Sequence, residues 1–221
     1  MRKITNINNG WLFKKGAAEM TICGGERIDL PHTWNADDGA DGGNDYFRGV
    51  CTYQKTLGNI DIGADEDVFI EFCGVSAMCD VYLNGKPVGK HKGGYSTFRF
   101  EITDYLSDEN VLTVYVDNSP RRDVYPQRAD FTFYGGIYRD VNIIVANKTH
   151  FELSYFGGDG VKITPNVNGD IEIECYVCGK DGYDVEYEIF SKDNALVASG
   201  ASKVVAGEAK ATLHIDDVHL W

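Results

Sequence analysis

"CDVYLNGKPVG", residues 79–89, carries the reading on which the fold turns. "CDVYL" (79–83) is a short β-prone run. Asn84-Gly85 follows directly, and it is the strongest short hairpin signal, because a type I′ turn needs positive φ at both central residues. Outward from this hairpin, "VFIEF" (68–72), "VLTVYV" (111–116) and "GIYRDVNIIV" (136–145) read as further strands with turn chemistry between them. No helical period persists for three turns, although "EITDYL" (101–106) has room for a single turn. Many short strands with Gly-rich corners predict an all-β protein, an antiparallel sandwich or jelly roll.

A second unit is expected from Lys148 onward. Beyond "VANKTH" the strands shorten and alternate more cleanly, as in "GVKITP", "IEIECYV", "DVEYEIF" and "ATLHI". Asn168-Gly169 and Asp193-Asn194 are the turn candidates between them. The pattern suits an immunoglobulin-type sandwich. The stretch 148–221 is short for that fold, which takes about 100 residues. Together with the apolar end of "DDVHLW", this predicts a sandwich cut before its last strand. The competing reading is a compact domain whose core Trp221 closes.

Charge and cysteine usage exclude several classes of function. Lys plus Arg is 21 against 34 Asp plus Glu, a formal charge of −13. A polyanionic partner needs a basic face, so neither nucleic acid nor anionic lipid is expected. The opening "ITNINNG" is polar and reads as neither a signal peptide nor a membrane helix. The six cysteines then read as free thiols, and the expected location is cytoplasmic. Cys175-x-x-Cys178 has no second pair. It lies in a strand pattern that puts Ile171, Ile173, Cys175 and Val177 on one face and Cys178 on the other, so no zinc site is expected. The acidic loop "NADDGADGGND" (35–45) lacks the ligand order of a calcium loop, and its carboxylates should stay solvated and ionised. No metal and no cofactor is expected.

"ADFTFYGGIYRDV" (129–141) poses a sharper question. Asp130 stands at the head of a run rich in aromatic rings, Phe131, Phe133 and Tyr134, followed by Gly135-Gly136. On its own residues, Asp130 reads as a turn cap or a partner of Arg128. Arg139-Asp140 reads as a structural ion pair. His32 and Trp34 read as packing anchors, and His91 as a turn-bonded or solvent-facing histidine.

Several stretches together resemble one family: "LPHTWN" (30–35), "DGGNDYFRGVCTYQKTL" (41–57), "VYLNGKPVGKHKGGYSTFRFEITDYL" (81–106), "NVLTVYVDN" (110–118) and "ADFTFYGGIYRDV" (129–141). In this order they resemble the N-terminal domain of glycoside hydrolase family 2, whose members include β-galactosidases, β-glucuronidases and β-mannosidases. The resemblance implies a jelly-roll sugar-binding domain over 1–147 and an immunoglobulin-like domain over 148–221. It implies that the (β/α)₈ barrel with the two catalytic carboxyls, about 5 Å apart in retaining enzymes, lies outside this sequence.

The same resemblance implies that Asp130 reaches into the barrel's sugar pocket and accepts hydrogen bonds from sugar hydroxyls. Asn44, Asp45 and Arg48 are further candidate substrate contacts. The flanking rings would stack on a sugar or pack on the barrel. The expectation is therefore a non-catalytic fragment of a β-galactosidase-like enzyme that assembles as a homo-oligomer. The alternatives are a β-glucuronidase fragment or a free-standing carbohydrate-binding module.

Overall fold

The computed structural model describes residues 2–40, 45–125, 130–216 and 218. The chain divides into two compact units, Met1–Ala146 and Asn147–Trp221. The first contains β1 (Lys3–Asn6), β2 (Trp11–Lys14), β3 (Glu26–Ile28), β4 (Val50–Leu57), β5 (Glu66–Phe72), β6 (Met78–Leu83), β7 (Lys86–Lys92), β8 (Phe98–Glu101), β9 (Asn110–Asp117) and β10 (Val141–Asn147). They form a four-stranded sheet, β1-β10-β5-β8, and a six-stranded sheet, β3-β2-β4-β9-β6-β7. Alternate residues of the two sheets meet in one core. Tyr53, Val81, Leu83 and Val114 come from the larger sheet, and Ile70, Phe72, Ile143 and Val145 from the smaller. This is the jelly-roll sandwich expected from the strand pattern.

Local chemistry sets the corners. Asn84 at φ 54° and Gly85 at φ 75° make the turn between β6 and β7. Their positive φ values are those of the I′ geometry. "EITDYL" yields one 3₁₀ turn, Thr103–Tyr105. The run 136–145 is only half a strand. Pairing begins at Val141, while Gly136 sits at φ 140° and exchanges both of its backbone hydrogen bonds with Ser76. No Cβ fits at Gly136, since it would lie 2.3 Å from the His32 carbonyl oxygen.

The second unit holds β11 (His150–Phe151), β12 (Val161–Pro165), β13 (Asp170–Cys178), β14 (Asp184–Phe190), β15 (Leu196–Lys203) and β16 (Glu208–His214). β11 and β12 lie along one edge of β13 and β16 along the other, while β14 and β15 form a hairpin of their own. Ile173, Cys175, Tyr187, Val204, Ala209 and Leu213 are its buried centre. Cys175 points into this core. Cys178 points the other way and donates to Glu152 Oε2 at 2.9 Å. Trp221 lies outside the described residues.

Candidate functional site

Asp130 is exposed, and no hydrogen bond or ion pair with another described residue engages its carboxylate. Arg128, its alternative partner from the sequence, lies outside the described residues. The loop that carries Asp130 is, by contrast, heavily fixed from the next residues onward. Thr132 Oγ1 donates to the Gly39 carbonyl at 2.9 Å, and the Phe133 N–H donates to the Tyr46 hydroxyl at 3.0 Å. Gly135 packs flat on Trp34, so a Cβ there would lie 2.0 Å from the indole. The two glycines thus let this loop press onto the jelly roll, while Asp130 and Phe131 at its head are exposed.

Phe131 is about half exposed and Tyr134 nearly so, at 51% and 41%. Phe133 lies 5.3 Å from Phe131, and the Arg48 guanidinium sits 4.9 Å over the Phe133 ring. Arg48 Nε donates to the Asn118 carbonyl at 2.8 Å. Its two terminal nitrogens have no hydrogen-bond partner among the described residues. Asp45 is exposed next to Tyr46, and Asn44 lies outside the described residues. Of the four residues singled out from the sequence, the structure therefore ties Arg48 to the Asp130 loop through Phe133.

Sequence reasoning missed what holds this loop. Asn35 and Asn118 are 0% and 1% exposed, and their side chains face each other at 3.2 Å. Asn118 Nδ2 donates to the Phe133 carbonyl at 3.0 Å, and its Oδ1 accepts from the Gly49 N–H at 2.9 Å. Asn35 Oδ1 accepts from the Gly135 N–H at 2.8 Å, and its Nδ2 donates to Asp38 and to the Phe47 carbonyl. Buried amides are costly unless satisfied, and here each is satisfied by backbone brought in from distant loops. Asp38, within the acidic loop, accepts the Phe47 N–H at 3.0 Å. That bond holds the Asp38 carboxyl below its ordinary range, so it stays ionised, as the loop's composition suggested.

The remaining sequence candidates are structural. His32 bonds the buried Tyr53 hydroxyl through Nδ1 at 2.7 Å and packs on Phe13, and burial pushes its pKa down. His91 stacks on Phe98 at 3.9 Å and bonds the Gly93 carbonyl within its turn, again with a lowered pKa from burial. Arg139 and Asp140 do not pair with each other. Arg139 donates to the carbonyls of Cys73 and Tyr95, and Asp140 accepts from Asn8 at 2.7 Å. Both precede β10, where the backbone has not yet joined the sheet and their side chains part. Among the described residues, no three His, Cys, Asp or Glu side chains converge as metal ligands.

What the arrangement can do is limited and specific. A free carboxylate beside exposed rings can accept from two hydroxyls, and the rings can cover an apolar sugar face. Comparison with known proteins gives the family. Residues 42–147 fit the family described as "Glycosyl hydrolases family 2, sugar binding domain". A β-glucuronidase of Bacteroides fragilis is 33% identical over 92% of this chain and 29% of its own length. A β-galactosidase of Thermoanaerobacter pseudethanolicus is 30% identical over 90% of the chain and 28% of its own. The crystal structure of an FMN-binding β-glucuronidase from Facaelibacterium prausnitzii L2-6 superposes on the whole chain, at 35% identity and a TM-score of 0.85. The match covers 35% of that structure. The chain belongs to glycoside hydrolase family 2, and it spans about a third of the length of these relatives.

Proposed function

We propose that this chain is the non-catalytic N-terminal part of a β-glycosidase, and that it contributes Asp130 to the sugar subsite of a catalytic barrel supplied elsewhere in the protein. The carrying observation is the Asp130 carboxylate, exposed and without a partner among the described residues, at the head of a loop whose following residues are tied down. An anionic acceptor left unpaired beside exposed rings suits a sugar hydroxyl that arrives from outside. Arg48, with its terminal nitrogens unbonded among the described residues, stands over the ring of Phe133 as a second contact. Asn44 and Asp45 belong to the same proposal as flanking contacts.

The substrate class in this proposal is a terminal β-galactoside. A second reading, a β-glucuronide, is favoured by the names of two of the three relatives described above. A homo-oligomeric enzyme in a reducing compartment completes the proposal. Its supports are the six free thiols and the exposed apolar side chains of the second unit, such as Ile163 at 61%.

Kinetics of the whole enzyme test the role of Asp130. Asp130→Ala should lower kcat/KM at least tenfold, about 1.4 kcal/mol, with unchanged thermal stability. Asp130→Asn should recover the shape but not the anionic acceptor, and should stay impaired. Wild-type kcat/KM in Asp130→Ala would make Asp130 a turn residue. Side-by-side rates on aryl β-galactoside and aryl β-glucuronide decide the substrate. The 221-residue chain alone should hydrolyse neither, and turnover by the purified chain would place the catalytic groups within it.

A further inference from the structure

The outer face of the six-stranded sheet, which the Asp130 reading leaves without a function, is half covered by the described residues of its own unit. The segment 17–22 lies over one half. Thr52 Oγ1 donates to the Ala17 carbonyl at 2.6 Å, and Gln54 Nε2 donates to the Met20 carbonyl at 2.8 Å. Thr52, Gln54 and Thr113 are buried beneath that segment. The other half is open as a trough of about 470 Å³. Strand register builds its floor. Met78 stands between Lys92 and Asp117, and Asp80 stands between Lys90 and Tyr115. Ala18 forms part of one wall, and Arg121, from the loop after β9, part of the other.

Charge in the trough is balanced and fixed. Lys90 pairs with Asp80 at 2.9 Å, Lys92 with Asp123 at 2.6 Å, and Arg121 with Asp123 at 2.8 Å. Asp117 Oδ1 caps the Ser119 N–H at 2.7 Å. Each pair leaves spare donors on the cation and spare lone pairs on the carboxylate. A phosphate or a carboxylate ligand would meet Asp80 and Asp117, and a cation would meet Lys90 and Arg121. A neutral polyhydroxylated ligand uses both kinds of group at once. Tyr115 supplies a ring for an apolar sugar face, held 5.1 Å from Tyr82, and its hydroxyl has no hydrogen-bond partner among the described residues. The volume falls in the range of about 300–1,000 Å³ usual for small-molecule sites.

We infer that this trough is a carbohydrate site, lined by none of the residues assigned above to the Asp130 contact, which takes a neutral di- or trisaccharide on Tyr115 between Asp80 and Arg121. It does not depend on the catalytic proposal above. Such a site holds glycan without cleaving it.

The 221-residue chain itself serves for the test, titrated with lactose, cellobiose and xylotriose and followed by residue-resolved NMR. At least one of the three should shift the amides of Tyr115, Met78 and Asp80, with a Kd of about 1–10 mM. Tyr115→Ala should weaken that binding at least about tenfold, or about 1.4 kcal/mol. Asp80→Asn, which keeps the shape of the floor, should weaken it too, and Asp130→Ala should leave it unchanged. The inference is overturned if none of the three saccharides shifts these amides at about 50 mM, well above that range. Binding that survives Tyr115→Ala and Asp80→Asn, or that is lost in Asp130→Ala, overturns it as well.

Discussion

Ile70 and Ile163 are both isoleucines in the middle of a strand, each paired across an antiparallel ladder, Ile70 with Phe100 and Ile163 with Ile173. Ile70 is completely buried, whereas Ile163 is 61% exposed. The difference lies in what stands opposite. Ile70 faces a full second sheet in the first unit. Ile163 faces an open apolar groove of about 330 Å³ in the second, shared with Val161, Ile171, Val185 and Ile189. Strand pattern alone therefore decides that a residue points toward a core side. How dry that side becomes depends on the partner sheet, which in the second unit is a single hairpin.

The largest consequence concerns stability. Phe72 is wholly buried in the first unit and stacks on Phe98 at 5.1 Å. Phe72→Ala should cost about 3–5 kcal/mol, the usual penalty for deleting a buried ring. Ile173, among the most buried side chains of the second unit at 6% exposed, borders the open groove. Ile173→Ala should fall near the lower end of its class, about 2 kcal/mol, because water already reaches one side and no closed cavity forms. Urea unfolding followed by residue-resolved hydrogen exchange separates the two units. Equal costs would show that the groove is closed in solution, and the comparison would fail.

A middle-sized effect is expected at the amide pair that braces the Asp130 loop. Asn118→Ala removes partners from the Gly49 N–H and the Phe133 carbonyl, in a site 1% exposed. Leaving buried backbone groups unpaired costs about 1–3 kcal/mol. The loss should be confined to the first unit and accompanied by faster amide exchange at Phe133 and Gly135. A second unit destabilised to the same degree would mean that the two units unfold as one, and the contrast drawn above would lose its basis.

The same contrast explains what could be read in advance. Residues 68–72, 79–83 and 111–116 lie within β5, β6 and β9, because alternation on a half-buried strand is local information. β1 gave no such signal, since all four of its residues are exposed. Gly136 reads as strand from its neighbours, since its φ of 140° goes with the close approach of His32, about a hundred residues away in the chain. Asp130 stood out by chemistry, as a lone acid among rings, and the family resemblance supplied its role. Asn35 and Asn118 did not stand out. They are 83 positions apart, Asn35 at the start of the acidic loop and Asn118 just past a strand run, and no local pattern couples them.

The smallest effect is one of sign. In the first unit the Phe47 N–H lowers the Asp38 carboxyl from its ordinary 3.8. Folding then favours the ionised form, so this contribution is complete above about pH 4 and fades as pH falls through the depressed value. In the second unit His214 Nδ1 bonds Asp170 Oδ1 at 2.8 Å, where β13 meets β16. Asp170 raises His214 above 6.5, and His214 lowers Asp170 below 3.8. The raised histidine contributes fully below 6.5 and is lost as pH climbs through its folded value. The lowered carboxyl contributes above 3.8 and is lost on acidification. The pair therefore clamps the end of β13 to β16 only in a window between the two. Going from about pH 6 to pH 9 should speed exchange at Ile171 and Ile215 beyond the intrinsic base-catalysed rise, and leave the Asp38 loop with that rise alone. His214→Gln should abolish the excess. Because the pair is exposed and screened by solvent, the change should shrink further in high salt. An excess of equal size in both units, or one that persists in His214→Gln, would show that the pH response is not carried by this pair.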